Sequence, residues 1–311
     1  MCSFHIPVMQ REVIESLRCH PGGIYVDGTV GGGGHASEIL RHTAPHGLVI
    51  GIDVDDDALR ESEERLRPFG HRKILVKGNF SEIDAILESL NIKEVDGILL
   101  DLGVSAHQLK TASRGFSFSL NAPLDMRMDQ GQGLSAYDII NTFPEKELER
   151  IIKDFGEEMM AGIIVKNISM RRKASPIETT AELADIIAKS LPSSFKTKKI
   201  HPATRTFQAI RIYVNSELLS LHETIDRGVD VLRKSGRFSI ISFHSLEDRI
   251  VKDGFRSWEK GCICPPSLPL CACHRKAKLK ILTRKPITPA ASEIERNTQA
   301  RSAKLRTAER I

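Results

Sequence analysis

Four short apolar runs set the rhythm of the first hundred residues: Gly23–Val30, Gly47–Val54, Lys73–Phe80 and Val95–Val104. Each closes on a polar or glycine-containing turn, the pattern of a strand. Helical stretches separate them. Asp55–Asp57 open a charged helix with sparse apolar positions. Ile83, Ile86, Leu87 and Leu90 form the apolar stripe of the next, with Ser81 as its expected N-cap and Asp84 at the capping-box position. Strand–helix units repeated with short turns predict a parallel α/β sheet.

The rhythm breaks after residue 104. Ser113–Asp129 is loop-like, with Gly115, Pro123 and two nearby phenylalanines, and helical periodicity follows near 135–155, 157–172 and 179–191. This predicts a helical insertion. After His201-Pro202 the sheet pattern is expected to resume, with one or two helices over 204–233 stopped by Gly236, a strand over Arg237–His244, and two last strands near 279–284 and 302–309. The expected domains are therefore 1–104 joined with 201–311, and an inserted 105–200. On the helix after Pro202, Thr204, Gln208, Arg211 and Asn215 share one arc at about 100° per residue, beside an apolar arc of Phe207, Ile210, Val214 and Leu218. Such a polar stripe is expected to line a cleft.

Composition narrows the class. Hydrophobic residues make up 41% and charged residues 27% of the 311, which excludes a collagen or a disordered tail. No apolar run is long enough for a membrane span, and the first residues lack the pattern of a signal peptide, so a cytoplasmic location is expected. Residues 256–311 hold 13 Lys/Arg against 4 Asp/Glu, a local +9, which leaves −4 for the rest of the net +5. A basic C-terminal segment on an acidic body predicts a polyanionic partner. Arg and Lys at 171–173 and 196–199 are further candidates for phosphate contact. Cys262, Cys264, Cys271 and Cys273 form two C-x-C pairs within twelve residues. Four thiolates can hold zinc tetrahedrally, although common zinc knuckles use C-x₂-C. Thiols without metal, or a redox-labile loop, are the alternatives.

Candidate chemistry gathers at the strand ends. The first strand runs into Asp27-Gly28-Thr29-Val30-Gly31-Gly32-Gly33-Gly34-His35. Glycines there let backbone approach a ligand, and the following helix presents N–H groups. Dinucleotide enzymes load pyrophosphate on such a turn. An acid before the glycines, here Asp27, instead suits a ligand carrying an amino group and a sulfonium charge. Asp53 ends the second strand, where a carboxylate can accept both ribose hydroxyls. Asn79-Phe80 ends the third, where Phe80 can pack against an adenine, and Asp101 ends the fourth. Ligands of open α/β sheets bind outside these carboxyl ends.

Longer blocks carry a resemblance across nearly the whole chain, in order. They are His5-Ile6-Pro7-Val8, Asp27–His35, Asp101-Leu102-Gly103-Val104-Ser105, Arg114-Gly115-Phe116-Ser117-Phe118, the stretch Pro123–Asp129, Arg205–Arg211, Ser242–Arg249 and Arg301–Arg306. In these the chain resembles the bacterial 16S ribosomal RNA cytosine-N4 methyltransferases. The resemblance implies a Rossmann-like class I methyltransferase with a parallel-rich sheet and an inserted helical domain that recognises substrate. It implies S-adenosylmethionine as donor, and a cytidine in the decoding region of small-subunit ribosomal RNA as acceptor. Gly33, Gly34, His35, Asp53, Phe80, Asp101 and Gln108 are the implied cofactor contacts. Ala106-His107 and Lys110 depart from the family's usual residues beside that pocket.

The cytosine N4 amine is a poor nucleophile, so the enzyme must hold it in line and accept its proton. Many amino-methyltransferases do this with Asp/Asn/Ser-Pro-Pro-aromatic after the fourth strand. Here the stretch is Asp101-Leu102-Gly103-Val104, which keeps the acid and lacks the prolines and the ring. Asp101 and His244 are the expected catalytic residues, with Phe116, Phe118 and Phe243 as candidates to stack on the base. No catalytic metal is expected. The rival readings are an NAD-dependent oxidoreductase and a non-catalytic RNA-binding assembly factor; Asp27 before the glycines opposes the first, and the retained Asp27, Asp53 and Asp101 oppose the second. The small ribosomal subunit is the expected partner, no membrane is, and a homodimer is compatible with the chain.

Overall fold

The computed structural model describes residues 7–131, 133–192, 201–265, 270 and 272–311. The block residues His5 and Ile6, the basic run 196–199 and Cys271 lie outside them. The chain divides into two compact units, Met1–Gly103 with Leu218–Ile311, and Val104–Glu217.

In the first unit the described residues form a seven-stranded sheet. Its strands are β1 (Ile24–Asp27), β2 (Leu48–Asp53), β3 (Lys73–Lys77), β4 (Val95–Asp101), β5 (Leu232–Ser242), β6 (Leu279–Ile281) and β7 (Lys304–Arg310), in the order β3-β2-β1-β4-β5-β7-β6. β1 to β5 run parallel; β7 is antiparallel to both β5 and β6. The apolar runs are continuous because both faces are covered. Ile98 and Leu100 of β4 enter one core with Ile50, Phe238 and Ile240, while Leu99 points into the other with Val49, Ile241 and Leu305. Leu221, Ile225, Val251 and Phe255 from two long helices close the first face. Val13, Leu17, Ile39 and Leu40 close the second.

Two local expectations change, the cap at Ser81 and the stop at Gly236. The N-cap before Ile83–Ser89 is not Ser81: Asn79 accepts from the Ser81 N–H at 2.9 Å and starts a 3-10 turn that leads into the helix. Residues 204–233 form two helices, Thr204–Val214 and Glu217–Val231. Gly236 does not stop them. It lies inside β5, where the pairing with β4 shifts register, and a Cβ there would stand 2.8 Å from the Arg233 carbonyl oxygen. A glycine permits the bulge.

The second unit is helical: Ala136–Thr142, Glu145–Gly156, Ala161–Ala174, Thr180–Ser190 and Thr204–Val214 bury one shared core, with Ile140, Leu148, Ile152, Ile164, Ile168, Leu183 and Ile210 among its members. Among the described residues this unit adds no strand to the sheet; Pro123 and Thr179 make only an isolated bridge. The helical unit extends past the expected boundary at residue 200. Ala203, Phe207, Ala209 and Ile210 are buried in its core, so the chain returns to the sheet unit at Leu218.

The polar stripe on Thr204–Val214 is also reassigned. Asn215 accepts from the Met128 N–H at 2.7 Å and donates to the Met126 carbonyl at 2.8 Å. Arg211 forks onto Glu217, and Gln208 donates to the Phe155 carbonyl. Three of its four residues therefore tie the unit together. Arg114, only 2% exposed, pins the irregular Ser113–Asp129 stretch by donating to the Arg127 and Met128 carbonyls. Asn215→Ala should orphan the Met128 N–H and lower stability by ~1–3 kcal/mol in urea denaturation; an unchanged midpoint would remove this bond from the account.

Candidate cofactor site

β1 neighbours β2 on one side and β4 on the other, so the chain crosses over at the end of β1. This is the switch point where an open α/β sheet leaves a crevice. Asp27 ends β1 and Gly28 follows it between Leu100 and Phe80, with space for no side chain: a Cβ on Gly28 would stand 2.5 Å from Leu100 Cδ2. Gly33 takes φ +74 and becomes the N-cap of the helix Gly34–His42, which carries His35 back over the strand ends.

Asp53 holds the glycine turn. Its Oδ2 accepts from the Gly31 N–H at 2.9 Å and its Oδ1 from the Asp55 N–H at 3.0 Å. Each carboxylate oxygen keeps a second lone pair. Burial pushes this carboxyl up to about 6 despite those two donors and a weaker one from the Val54 backbone. Asp27–Gly33 fits the spacing D-x-G-x-G-x-G except that Thr29 stands at the first glycine, and its hydroxyl explains the exception. Thr29 Oγ1 accepts from the Asp101 N–H at 2.6 Å and ties the turn to the end of β4. The sequence signal for this contact was that departure from glycine.

Asp27, His35 and Asp101 form a buried acid–imidazole–acid cluster. Asp27 is 1% and His35 6% exposed. His35 Nε2 lies 3.5 Å from Asp101 Oδ2, beyond a good hydrogen bond. Asp27 Oδ1 accepts a long bond from the Thr29 N–H, 3.3 Å. Asp27 Oδ2, both His35 ring nitrogens and Asp101 Oδ1 are buried without a hydrogen-bond partner among the described residues. Burial pushes the Asp27 carboxyl up to about 7; His35 opposes that push and Asp101 adds to it. At His35, burial favours the neutral ring, but Asp101 and then Asp27 together outweigh it and hold the imidazole above its ordinary value. Such a cluster is poised for a ligand that brings hydrogen-bond donors and positive charge.

The other expected residues fall differently. Phe80 is half-buried and packs against the sheet core, next to Gly28. Asn79 both caps its turn and donates to Ser220 Oγ at 3.2 Å. Gln108 lies in the second unit. Its Oε1 accepts from the Ser105 N–H in a capping box that starts Ala106–Lys110. His244 is the N-cap of Ser245–Lys260. Its Nδ1 accepts from the Glu247 N–H at 3.4 Å, and its Nε2 lies 3.1 Å from Glu247 Oε1. Phe116 is buried in the helical core, and Phe118 packs between His201 and Phe207. Phe243 packs against the sheet core.

Part of the basic surface is structural. Arg172 donates to the Ile140 and Phe143 carbonyls, both at 2.7 Å, and Arg171 to Ser175 and Glu182. Arg275 lies 3.5 Å over the Trp258 ring, and Arg306 and Lys304 pair with Asp248. Lys173, Lys276, Lys280 and Lys285 are exposed. No helix among the described residues is long and apolar enough to cross a membrane.

The cluster makes a pH prediction. Asp27 and Asp53 move up from 3.8 to about 7 and about 6, so each binds more proton in the folded than in the unfolded chain within that window. His35 shifts in the same direction. Their contribution to stability is therefore full below about pH 4 and is lost as pH rises through the folded values. Asp27→Asn should reduce this loss, and the ligand-free variant should exceed the parent in stability near pH 8. Denaturation curves at about pH 5 and pH 8 test it; an equal loss in both proteins would contradict the burial argument.

Comparison with known proteins identifies the family. The family model of the MraW methylases matches residues 2–311. A protein of Syntrophus aciditrophicus (strain SB) named ribosomal RNA small subunit methyltransferase H is 60% identical over 309 residues, spanning 99% of this chain and 98% of that one. Proteins of the same name from Geotalea uraniireducens (strain Rf4) and Clostridium botulinum (strain Kyoto / Type A2) are 52% and 51% identical over 307 residues, each spanning 99% of this chain and 98% and 99% of their own. With the match running end to end, the chain belongs to the MraW methylase family.

Proposed function

We propose that this chain transfers a methyl group from S-adenosylmethionine to the N4 amine of a cytidine in the decoding region of 16S ribosomal RNA. The observation that carries the reading is the buried Asp27–His35–Asp101 cluster with unmet hydrogen-bonding atoms at the switch point, in a chain of this family. The name shared by the relatives supports small-subunit ribosomal RNA as the substrate. A pyrophosphate cofactor would meet the Asp27 carboxylate beside the glycine turn, which disfavours an oxidoreductase.

The donor, when bound, supplies a methyl group activated by a sulfonium charge. Asp27 and Asp101 supply the compensating anions, and the unmet atoms of His35 offer hydrogen bonds to its polar end. Asp53 keeps lone pairs for a ribose diol, Phe80 offers an apolar edge for a purine, and Gly33 and Gly34 let backbone come close. Gln108 is the one donor contact assigned to the helical unit, whose wider role is to recognise the RNA. Exposed Lys173, Lys276, Lys280 and Lys285 attract phosphates. Asp101 orients the amine and takes up its proton. His244 stands second for that role, because the contacts of its ring to Glu247 support a helix cap.

Labelled methyl transfer to small subunits and to free RNA, followed by nucleoside analysis for N4-methylcytidine, tests the whole reading; label at another atom would overturn it. Asp53→Ala should weaken donor affinity by ~2–4 kcal/mol in calorimetry. Asp101→Asn should weaken donor binding and also lower kcat at saturating donor by ~10²-fold or more, a loss that extra donor does not restore. Normal turnover at saturating donor would move the proton to His244. Changing Lys276, Lys280 and Lys285 to Glu should flatten the salt dependence of RNA binding and leave donor binding unchanged.

A further inference from the structure

The cysteine motif plays no part in the proposed transfer, and the structure gives it a geometry of its own. The helix Ser245–Lys260 ends at Gly261, whose N–H donates to the Ser257 carbonyl at 2.9 Å. Cys262 and Cys264 follow directly. Cys273 lies on the segment that leads into β6, and this segment crosses back over the helix end. A Cβ on Gly261 would stand 2.3 Å from the Ala277 nitrogen, so only glycine permits the crossing. Lys278 N–H donates to the Trp258 carbonyl at 3.0 Å, Arg275 lies over the Trp258 ring, and Arg275 Nη1 donates to Ser257 Oγ at 3.1 Å. The two cysteine-bearing segments are thus brought together by contacts that need no sulfur.

At the crossing, one Sγ from each of Cys262, Cys264 and Cys273 lies within 4.8 Å of the others, and Cys262 and Cys273 are 3.8 Å apart. A tetrahedral zinc with Zn–S bonds of about 2.3 Å holds its sulfurs about 3.8 Å apart. The Cys262–Cys273 spacing is therefore already that of two zinc ligands, and Cys264 lies close enough to complete the set with a small shift. All three thiols are half-buried, within reach of an ion from solvent. Soft thiolates select zinc over calcium or magnesium. Three thiolates on a divalent ion leave a net charge of about −1, in a stretch whose next residues include Arg275 and Lys276.

We propose that Cys262, Cys264 and Cys273 bind one zinc ion, which cross-links the end of the helix Ser245–Lys260 to the basic segment that enters β6. The ion replaces a proton on each thiol, so binding releases protons and weakens in acid. Three thiolates leave the fourth tetrahedral position to a further ligand, such as a water. The role of the ion is to fix the basic segment in register for a polyanion.

Elemental analysis of the full chain, purified under reducing conditions with zinc supplied and then dialysed, should find about one zinc per chain. Cys262→Ser and Cys273→Ser should each lose most of it, and Cys19→Ser should keep it. Cobalt offered to the metal-stripped parent should give a thiolate-to-cobalt charge-transfer band that zinc abolishes. The cobalt measurement uses the unmutated chain, so a variant that fails to fold does not decide the matter. A parent chain that holds no zinc after dialysis would overturn the proposal, as would full zinc retention in the folded double serine variant. A disulfide joining Cys262 to Cys273 in protein kept reduced would overturn it too.

Discussion

Placing the Asp27 carboxyl at the end of β1, almost fully out of solvent and with one oxygen unmet, costs the ligand-free chain stability. A buried acceptor without a partner costs about 1–3 kcal/mol, and charge increases the cost. The raised proton affinity of Asp27 expresses that cost, as does the way His35 is drawn toward the charged form by its acid neighbours. A fold selected for stability alone would place an apolar side chain there. The rest of the site follows from this strain: Gly28 has no room for a side chain, Thr29 bonds to the Asp101 backbone, and Asp53 braces the glycine turn with both carboxylate oxygens.

The sheet makes the strain sustainable. β1 is flanked by β2 and β4 in parallel register, and both faces of these strands are packed with branched aliphatic residues. A rigid, doubly covered sheet holds its strand ends in place whether or not a ligand is bound. The acids at the ends of β1, β2 and β4 are consequently presented by elements that cannot easily relax to satisfy them. Preorganisation of this kind trades folding stability for ligand affinity.

The helical unit is held by a different kind of bond. Its side-chain hydrogen bonds go largely to backbone groups of irregular segments: Arg114 to two carbonyls, Asn215 to an N–H and a carbonyl, Arg172 to carbonyls at the end of Ala136–Thr142. Long polar side chains here replace the ladder that a sheet would provide. The same logic holds near the C-terminus, where Arg275 and Arg306 are bound to Trp258 and Asp248. Positive charge in this protein is therefore an unreliable guide to a polyanion-binding surface unless the side chain is also exposed.

The sequence by itself determined the parallel-rich sheet, the strand ends at Asp27, Asp53 and Asp101 and the family, because short apolar runs and a glycine turn after an acid are local patterns that survive without knowledge of contacts; the third strand stops at Lys77, before Asn79-Phe80. It also located the helical insertion, through the loss of strand rhythm after residue 104. Only the tertiary structure decided where that insertion ends: Phe207 and Ile210 are apolar in either unit, and which core they join is a matter of packing at long range. The same holds for the stripe of Gln208, Arg211 and Asn215, whose helical spacing is compatible with a cleft or with internal bonds, and for Gly236, which as a lone glycine signals a helix stop as readily as a bulge. Asn79 took the cap from Ser81 because capping depends on the angles at one residue, which periodicity does not resolve. The meeting of Asp27, His35 and Asp101 was likewise beyond the sequence, since a strand end, a helix start and a second strand end become neighbours only through the order in which the strands pair.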